Sequence, residues 1–226
     1  TWFYRVRASG TLGNSAYSNE ASATTLPNPP DAPTGPVATA GGFAVRLDWA
    51  ASPSATGYRI QRSNTSGSGF VEIGTATATS FIDTGLAAGV PVFYRLAAEN
   101  TGGLGSDSAE TSATPLAILQ WDGADTVTAG AQGGNGAWNS TALWWNAFSN
   151  ASWPATGLTN EAVFGGSAGN VTLDPAGVAA NKLTFNTTGY LLQTGPLTLN
   201  GTNPAIFTAS AVTASISAPI HGSAGL

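Results

Sequence analysis

Phe43-Ala44-Val45-Arg46-Leu47-Asp48-Trp49 is the stretch from which the fold can be read. Large apolar residues at 43, 45, 47 and 49 alternate with Ala44, Arg46 and Asp48. That is the period of two by which a strand packs one face and wets the other. The same period returns in Tyr58 and Ile60, and in Val92, Tyr94, Leu96 and Ala98. Between Pro33 and Pro115 it predicts seven short strands, at 37–39, 43–49, 57–62, 70–73, 80–83, 92–98 and 108–113. Turn signals separate them, among them Ser52-Pro53, Ser66-Gly67-Ser68-Gly69 and Thr101-Gly102-Gly103. This count and spacing suit a β-sandwich.

The sandwich is preceded by a partial copy of itself. Trp2-Phe3-Tyr4-Arg5-Val6-Arg7-Ala8 matches Val92-Phe93-Tyr94-Arg95-Leu96-Ala97-Ala98, and Glu20-Ala21-Ser22-Ala23-Thr24 matches Glu110-Thr111-Ser112-Ala113-Thr114 at the same offset. Residues 1–26 are therefore expected to be the last two strands of a domain whose start is missing. Residues 27–32 form a Pro-rich linker, in which prolines forbid ladder hydrogen bonds and stiffen the joint. Residues 33–115 are a complete domain, and 116–226 a second kind of unit. No Met occurs, and the opening Thr1-Trp2-Phe3-Tyr4 lacks the charged and apolar regions of a signal peptide. The stretch is expected to be internal to a longer polypeptide.

Composition narrows the function classes. Only 8% of the 226 residues are charged, yet 42% are hydrophobic and seven are Trp, which favours packed β-structure over disorder. A net charge of −5 offers phosphate no basic stripe, so nucleic acid is not an expected partner. No apolar run reaches the length of a membrane span, so no membrane insertion is expected of this segment. Without Cys there is no disulfide framework or thiolate chemistry.

Leu47-Asp48-Trp49, Gly57-Tyr58-Arg59-Ile60-Gln61-Arg62-Ser63, Phe81-Ile82-Asp83 and Tyr94-Arg95-Leu96-Ala97-Ala98-Glu99-Asn100 together resemble the fibronectin type III pattern. The resemblance covers 33–115 and the tail end in 1–26. One departure stands out: the family's corner tyrosine, two residues before Tyr94, is here Val92. The corner hydrogen bond must be absent or supplied otherwise. Arg46, Arg59, Arg62 and Arg95 read as wet-face residues that pair with Asp48, Glu72 or Glu99 rather than as an anion site.

After Pro115 charge almost vanishes, and apolar triplets recur between Gly/Asn turns. They are Val171-Thr172-Leu173, Leu183-Thr184-Phe185, Tyr190-Leu191-Leu192, Leu197-Thr198-Leu199, Ile206-Phe207-Thr208 and Ala214-Ser215-Ile216. Short strands on such short spacing predict a coiled solenoid. Leu119-Gln120-Trp121-Asp122-Gly123, Gly136-Ala137-Trp138-Asn139, Ala162-Val163-Phe164-Gly165-Gly166 and Ala180-Asn181-Lys182-Leu183-Thr184-Phe185 resemble the autotransporter-associated β-strand repeat region of large bacterial surface proteins. That resemblance, over about 119–226, implies a right-handed β-helix displayed outside the cell and stopping here within a repeat. The expected class is thus all-β: a fibronectin type III-like sandwich plus a β-solenoid.

The sharpest candidate site is Trp138, Trp144, Trp145 and Trp153, whose indoles would stack on sugar rings while Asn139, Asn146 and Asn150 bond hydroxyls. The competing reading is that these rings plug the open end of the solenoid. Trp144 and Trp145 are adjacent, so in an extended segment they point to opposite faces and at most one is free. Asp122 and Asp125 suit turns better than a calcium site, which needs six to eight oxygens. Residues 116–226 contain no Arg, one Lys and one His. A polysaccharide lyase, which needs cations and a base, therefore does not fit, and His221 has no nucleophile pattern beside it.

No catalytic residue, metal or cofactor is expected. The expected role is a non-catalytic spacer and display segment of a secreted or cell-surface bacterial protein serving adhesion. The alternative is a carbohydrate-binding accessory module of an extracellular polysaccharide-degrading enzyme. The expected partners are a polysaccharide or cell-surface glycan and neighbouring domains of the same polypeptide.

Overall fold

The computed structural model describes residues 1–123, 129–139, 141, 143–154 and 159–222, and every regular element among them is a strand. Two antiparallel sheets enclose the core of the first half. One joins Thr34–Gly41, Ala44–Ala50 and Ser80–Thr84. The other runs Gly103–Asp107, Val92–Asn100, Gly57–Ser63, Val71–Ala76, with Thr111–Ala113 also pairing onto Val92–Asn100. Val45, Leu47 and Trp49 from the first sheet meet Tyr58, Ile60, Val92, Tyr94 and Leu96 from the second. The period-two reading of these strands thus holds, with two differences.

Phe43 does not begin the Ala44–Ala50 strand. It sits in the preceding turn at φ 52°, so its ring leaves the sandwich and packs against the second core. The segment after Gly102 also forms a strand of its own, Gly103–Asp107, before the chain breaks register at Ser108. Its sequence, Gly-Leu-Gly-Ser-Asp, has no apolar alternation, because it is an edge strand with little to bury. At the break, the Ser108 hydroxyl accepts from the Leu96 N–H while the Ser108 N–H donates to the Leu96 carbonyl.

Residues 1–26 repeat this local structure in detail. Trp2↔Ala23 and Tyr4↔Ala21 reproduce the register Val92↔Ala113 and Tyr94↔Thr111. The Val6 N–H donates to the Ser18 hydroxyl just as Leu96 does to Ser108, and Arg5 faces Glu20 as Arg95 faces Glu110. What the ribbon lacks is an opposing sheet. Trp2, Tyr4 and Val6 are 64%, 56% and 71% exposed, where Val92, Tyr94 and Leu96 are 3%, 0% and 0%.

Residues 27–32 are packed against the sandwich. They lie across the hairpin formed by Val92–Asn100 and Gly103–Asp107, where Asn100 Nδ2 donates to the Asn28 carbonyl at 2.9 Å. Gly102 permits this approach, since a Cβ there would collide with the Pro27 carbonyl.

In the second half the chain visits three sheets in a fixed order. The first stacks Ile118–Trp121, Glu161–Phe164, Lys182–Phe185 and Ala205–Thr208 in parallel. The second stacks Gly136–Trp138, Asn170–Leu173, Tyr190–Thr194 and Ala214–Ile216, and the third Val178–Ala180, Leu197–Leu199 and Ile220–Gly222, also in parallel. All six predicted triplets lie in these strands. Val178–Ala180 and Ile220–Gly222 were not foreseen, because one is a run of small residues and the other has a single large apolar side chain. Register positions line up from coil to coil: Trp121, Phe164 and Phe185, all buried, then Thr208, which is exposed. Phe164 and Phe185 stack at 4.8 Å between ring centroids.

The two halves meet through backbone hydrogen bonds. Gly42 N–H donates to the Asn146 carbonyl and Phe43 N–H to the Leu116 carbonyl, each at 2.9 Å, while Leu116 N–H returns a bond to Gly41. A side chain on Gly42 would strike the Ile118 carbonyl and Leu119.

Candidate functional site

Of the four tryptophans read as either stacking on sugars or plugging the stack, Trp138, Trp144 and Trp153 are enclosed in the second core, with ring centroids 4.6–4.9 Å apart. Trp121 and Phe164 complete the cluster. The indole of Trp153 donates to the Ala179 carbonyl and that of Trp121 to the Gly134 carbonyl, each at 2.9 Å. With their ring faces used against one another, Trp138 and Trp144 present nothing to a glycan in solution. Strand alternation explains why. In Ile118–Trp121, Leu119 and Trp121 point inward, and antiparallel pairing puts Trp144 opposite Trp121.

Trp145 is the exception. It pairs with Gln120 and Asn150, half-buried on the outer face of the same sheet. The strands Trp144–Trp145 and Asn150–Ala151 cover the edge of Ile118–Trp121, at the end of the stack where the tryptophans gather.

The asparagines are held by turns. Asn139 Oδ1 accepts from the N–H and hydroxyl of Thr141, and Asn146 Oδ1 accepts from the N–H groups of Phe148 and Ser149. Asp122 is fully buried, with Oδ1 accepting from Gln132 N–H at 2.7 Å, while Asp125 lies outside the described residues. Glu161 Oε1 accepts from the Thr184 hydroxyl at 2.7 Å. His221 pairs in register with Thr198 and is exposed. Among the described residues no three His, Cys, Asp or Glu side chains gather as a metal site would require.

In the sandwich, Arg46 pairs with Asp48 at 2.8 Å, and Arg59 with Glu72 and Glu99 at 3.3 and 2.8 Å. Arg62 instead reaches Asp83 at 2.9 Å, and Asp83 also accepts from the Tyr94 hydroxyl at 2.9 Å. Burial, reinforced by the Asp83 carboxylate, pushes the Tyr94 phenol far above its ordinary range. This linkage ties the two sheets together, and the tyrosine that makes it is Tyr94 rather than a residue at position 92.

A site that sequence reasoning missed lies where the halves meet. A cavity of about 650 Å³ opens there between Gly42-Phe43 and Thr84–Ala87 on the sandwich side and Leu119 and 146–154 on the other. Phe43, Leu86, Leu119 and Trp153 supply hydrocarbon, while Thr84 and Ser149 are among the polar lining, and no charged side chain lines it. The sequence had singled out Trp153, Asn146 and Asn150 of its lining, but nothing joined them to Phe43, whose turn conformation only the backbone reveals.

No family model matches the chain. It is 40% identical over 111 residues to the BmaC autotransporter adhesin of Brucella suis biovar 1, covering 47% of this chain and 3% of that protein. It is 36% identical over 96 residues to an amylopullulanase of Thermoanaerobacterium saccharolyticum, covering 42% of this chain and 8% of that one. The chain thus spans a small fraction of the curated relatives it matches. Among solved structures it is similar to a Fn3-like protein from Clostridium thermocellum, with 32% identity and a TM-score of 0.34 over 40% of this chain and 95% of that one. Titin domains A168–A170 give 22% identity and a TM-score of 0.41 over 50% and 40%.

Proposed function

We propose that the chain is a non-catalytic spacing and display segment of a large secreted or cell-surface bacterial protein that serves adhesion. In this reading 33–115 is a complete fibronectin type III-like domain, 1–26 the end of another, 27–32 their linker and 116–226 a right-handed β-helix. The observation that carries it is the pair of glycine-docked joints. At Gly102 and at Gly42 one segment's backbone lies against the next with no side chain between. Parallel stacking of successive coils extends the same line, as in other repeat architectures. Joints of this kind transmit position instead of absorbing it. The match to an adhesin supports the setting.

Small-angle scattering of the 226-residue chain tests the reading. An elongated particle whose scattering fits one conformation is the expected result, and an ensemble of freely reoriented halves would refute it. The relative named as an amylopullulanase favours a second reading, association with polysaccharide.

A further inference from the structure

We infer that the cleft between the sandwich and the parallel-stranded half is a binding site for a neutral oligosaccharide, an inference that rests on the polysaccharide reading above. Its volume of about 650 Å³ falls within the range of small-molecule sites, and boundaries between modules are where such sites are common. The lining is two-sided in chemistry. Half-buried Phe43, with the small accessible edges of Leu86 and Trp153, gives hydrocarbon against which the C–H face of a pyranose can lie. Thr84 and Ser149 add hydroxyl groups to the same lining.

The lining also selects by exclusion. A uronate or phosphate would give up water and find no cation among the residues of the cleft. A wholly apolar occupant would strip water from the hydroxyl groups and return no hydrogen bond. A neutral sugar satisfies both walls.

The site is also held in advance. Gly42 N–H on the Asn146 carbonyl, Phe43 N–H on the Leu116 carbonyl and Leu86 N–H on the Phe43 carbonyl fix the walls from both halves before a ligand arrives. The Trp153 ring is fixed by its own bond to Ala179. A glycan therefore meets a cleft that neither half forms alone.

Titration of the whole chain with maltohexaose, cellohexaose and xylohexaose, followed by the indole N–H resonance of Trp153 and by calorimetry, tests this. At least one hexaose is expected to bind and shift that resonance, while oligogalacturonate does not. Ala87 lies exposed at the rim. Ala87→Trp should weaken binding about tenfold or more at unchanged melting temperature. Thr84→Trp, at another exposed rim position, serves if the first variant fails to fold. Trp145→Ala, on the outer sheet face, should leave affinity unchanged. Absence of binding by all three hexaoses, or loss of binding in Trp145→Ala with retention in the rim variants, would overturn the proposal. Tighter binding of oligogalacturonate than of any neutral hexaose would do the same. Scattering judges the spacer reading separately, so the two can fail independently.

Discussion

Asp83 receives both the Arg62 guanidinium and the Tyr94 hydroxyl, and it is nearly buried where the two sheets approach. Tyr94→Phe removes one charge-assisted bond and should lower stability by about 2 kcal/mol in urea unfolding at neutral pH. Tyr190 plays a comparable part in the other half, its hydroxyl lying 2.5 and 2.8 Å from the carbonyls of Gly165 and Ser167. Burial pushes its phenol from 10.0 up to about 12. An unfolded chain gives up that proton near 10.0, whereas the folded one keeps it until about 12. The contribution is thus whole below 10 and is lost as pH rises through about 12. Melting temperatures measured from pH 9 upward should fall across this window, and Tyr190→Phe should fall less steeply. Equal slopes would show that Tyr190 does not titrate as its burial requires.

At the scale of elements, two joints and one ribbon carry the expectations. Gly42→Val forces a side chain into the Ile118 carbonyl, and packed backbone yields poorly. A loss of about 2 kcal/mol is expected, with calorimetry changing from one transition to two as the halves melt apart. A single unshifted transition would mean that the contact is dispensable. The ribbon of Trp2–Tyr4 and Ala21–Ala23 has hydrogen bonds and register but no core, and two strands alone are marginal in water. Its amides should exchange far faster than those of Ala44–Ala50 in a monomer, and equal protection would show that another surface covers it.

These elements also mark how far sequence goes. Alternation at 43–49, the repeat that pairs Trp2 with Val92 and the recurring triplets after Pro115 each report burial, and burial imposes a period. Trp138 and Trp153 were legible as rings that either plug the stack or stack on sugars, and a turn-rich segment has no period to decide between inside and outside. The cleft was legible only in pieces, through Trp153, Asn146 and Asn150. It depends on the positive φ of Phe43 and on contacts between residues far apart in the chain.

For the whole molecule, one register column of the parallel stack changes along its length. Trp121 is followed by Phe164 and Phe185, and then by Thr208, on a strand whose side chains are largely exposed. Each coil is steadied mainly by its neighbours, so the rings near the sandwich hold their coils more firmly than Thr208 holds its own. Under tension the stack therefore has a direction of failure. Under a load along the stack, the coil that carries Thr208 is expected to unreel before those that carry Phe164 and Phe185, while Trp144 and the cleft beside it stay shaped. A grip formed at that cleft would outlast the extension of the coils beyond it, so that the tether lengthens before its hold is lost.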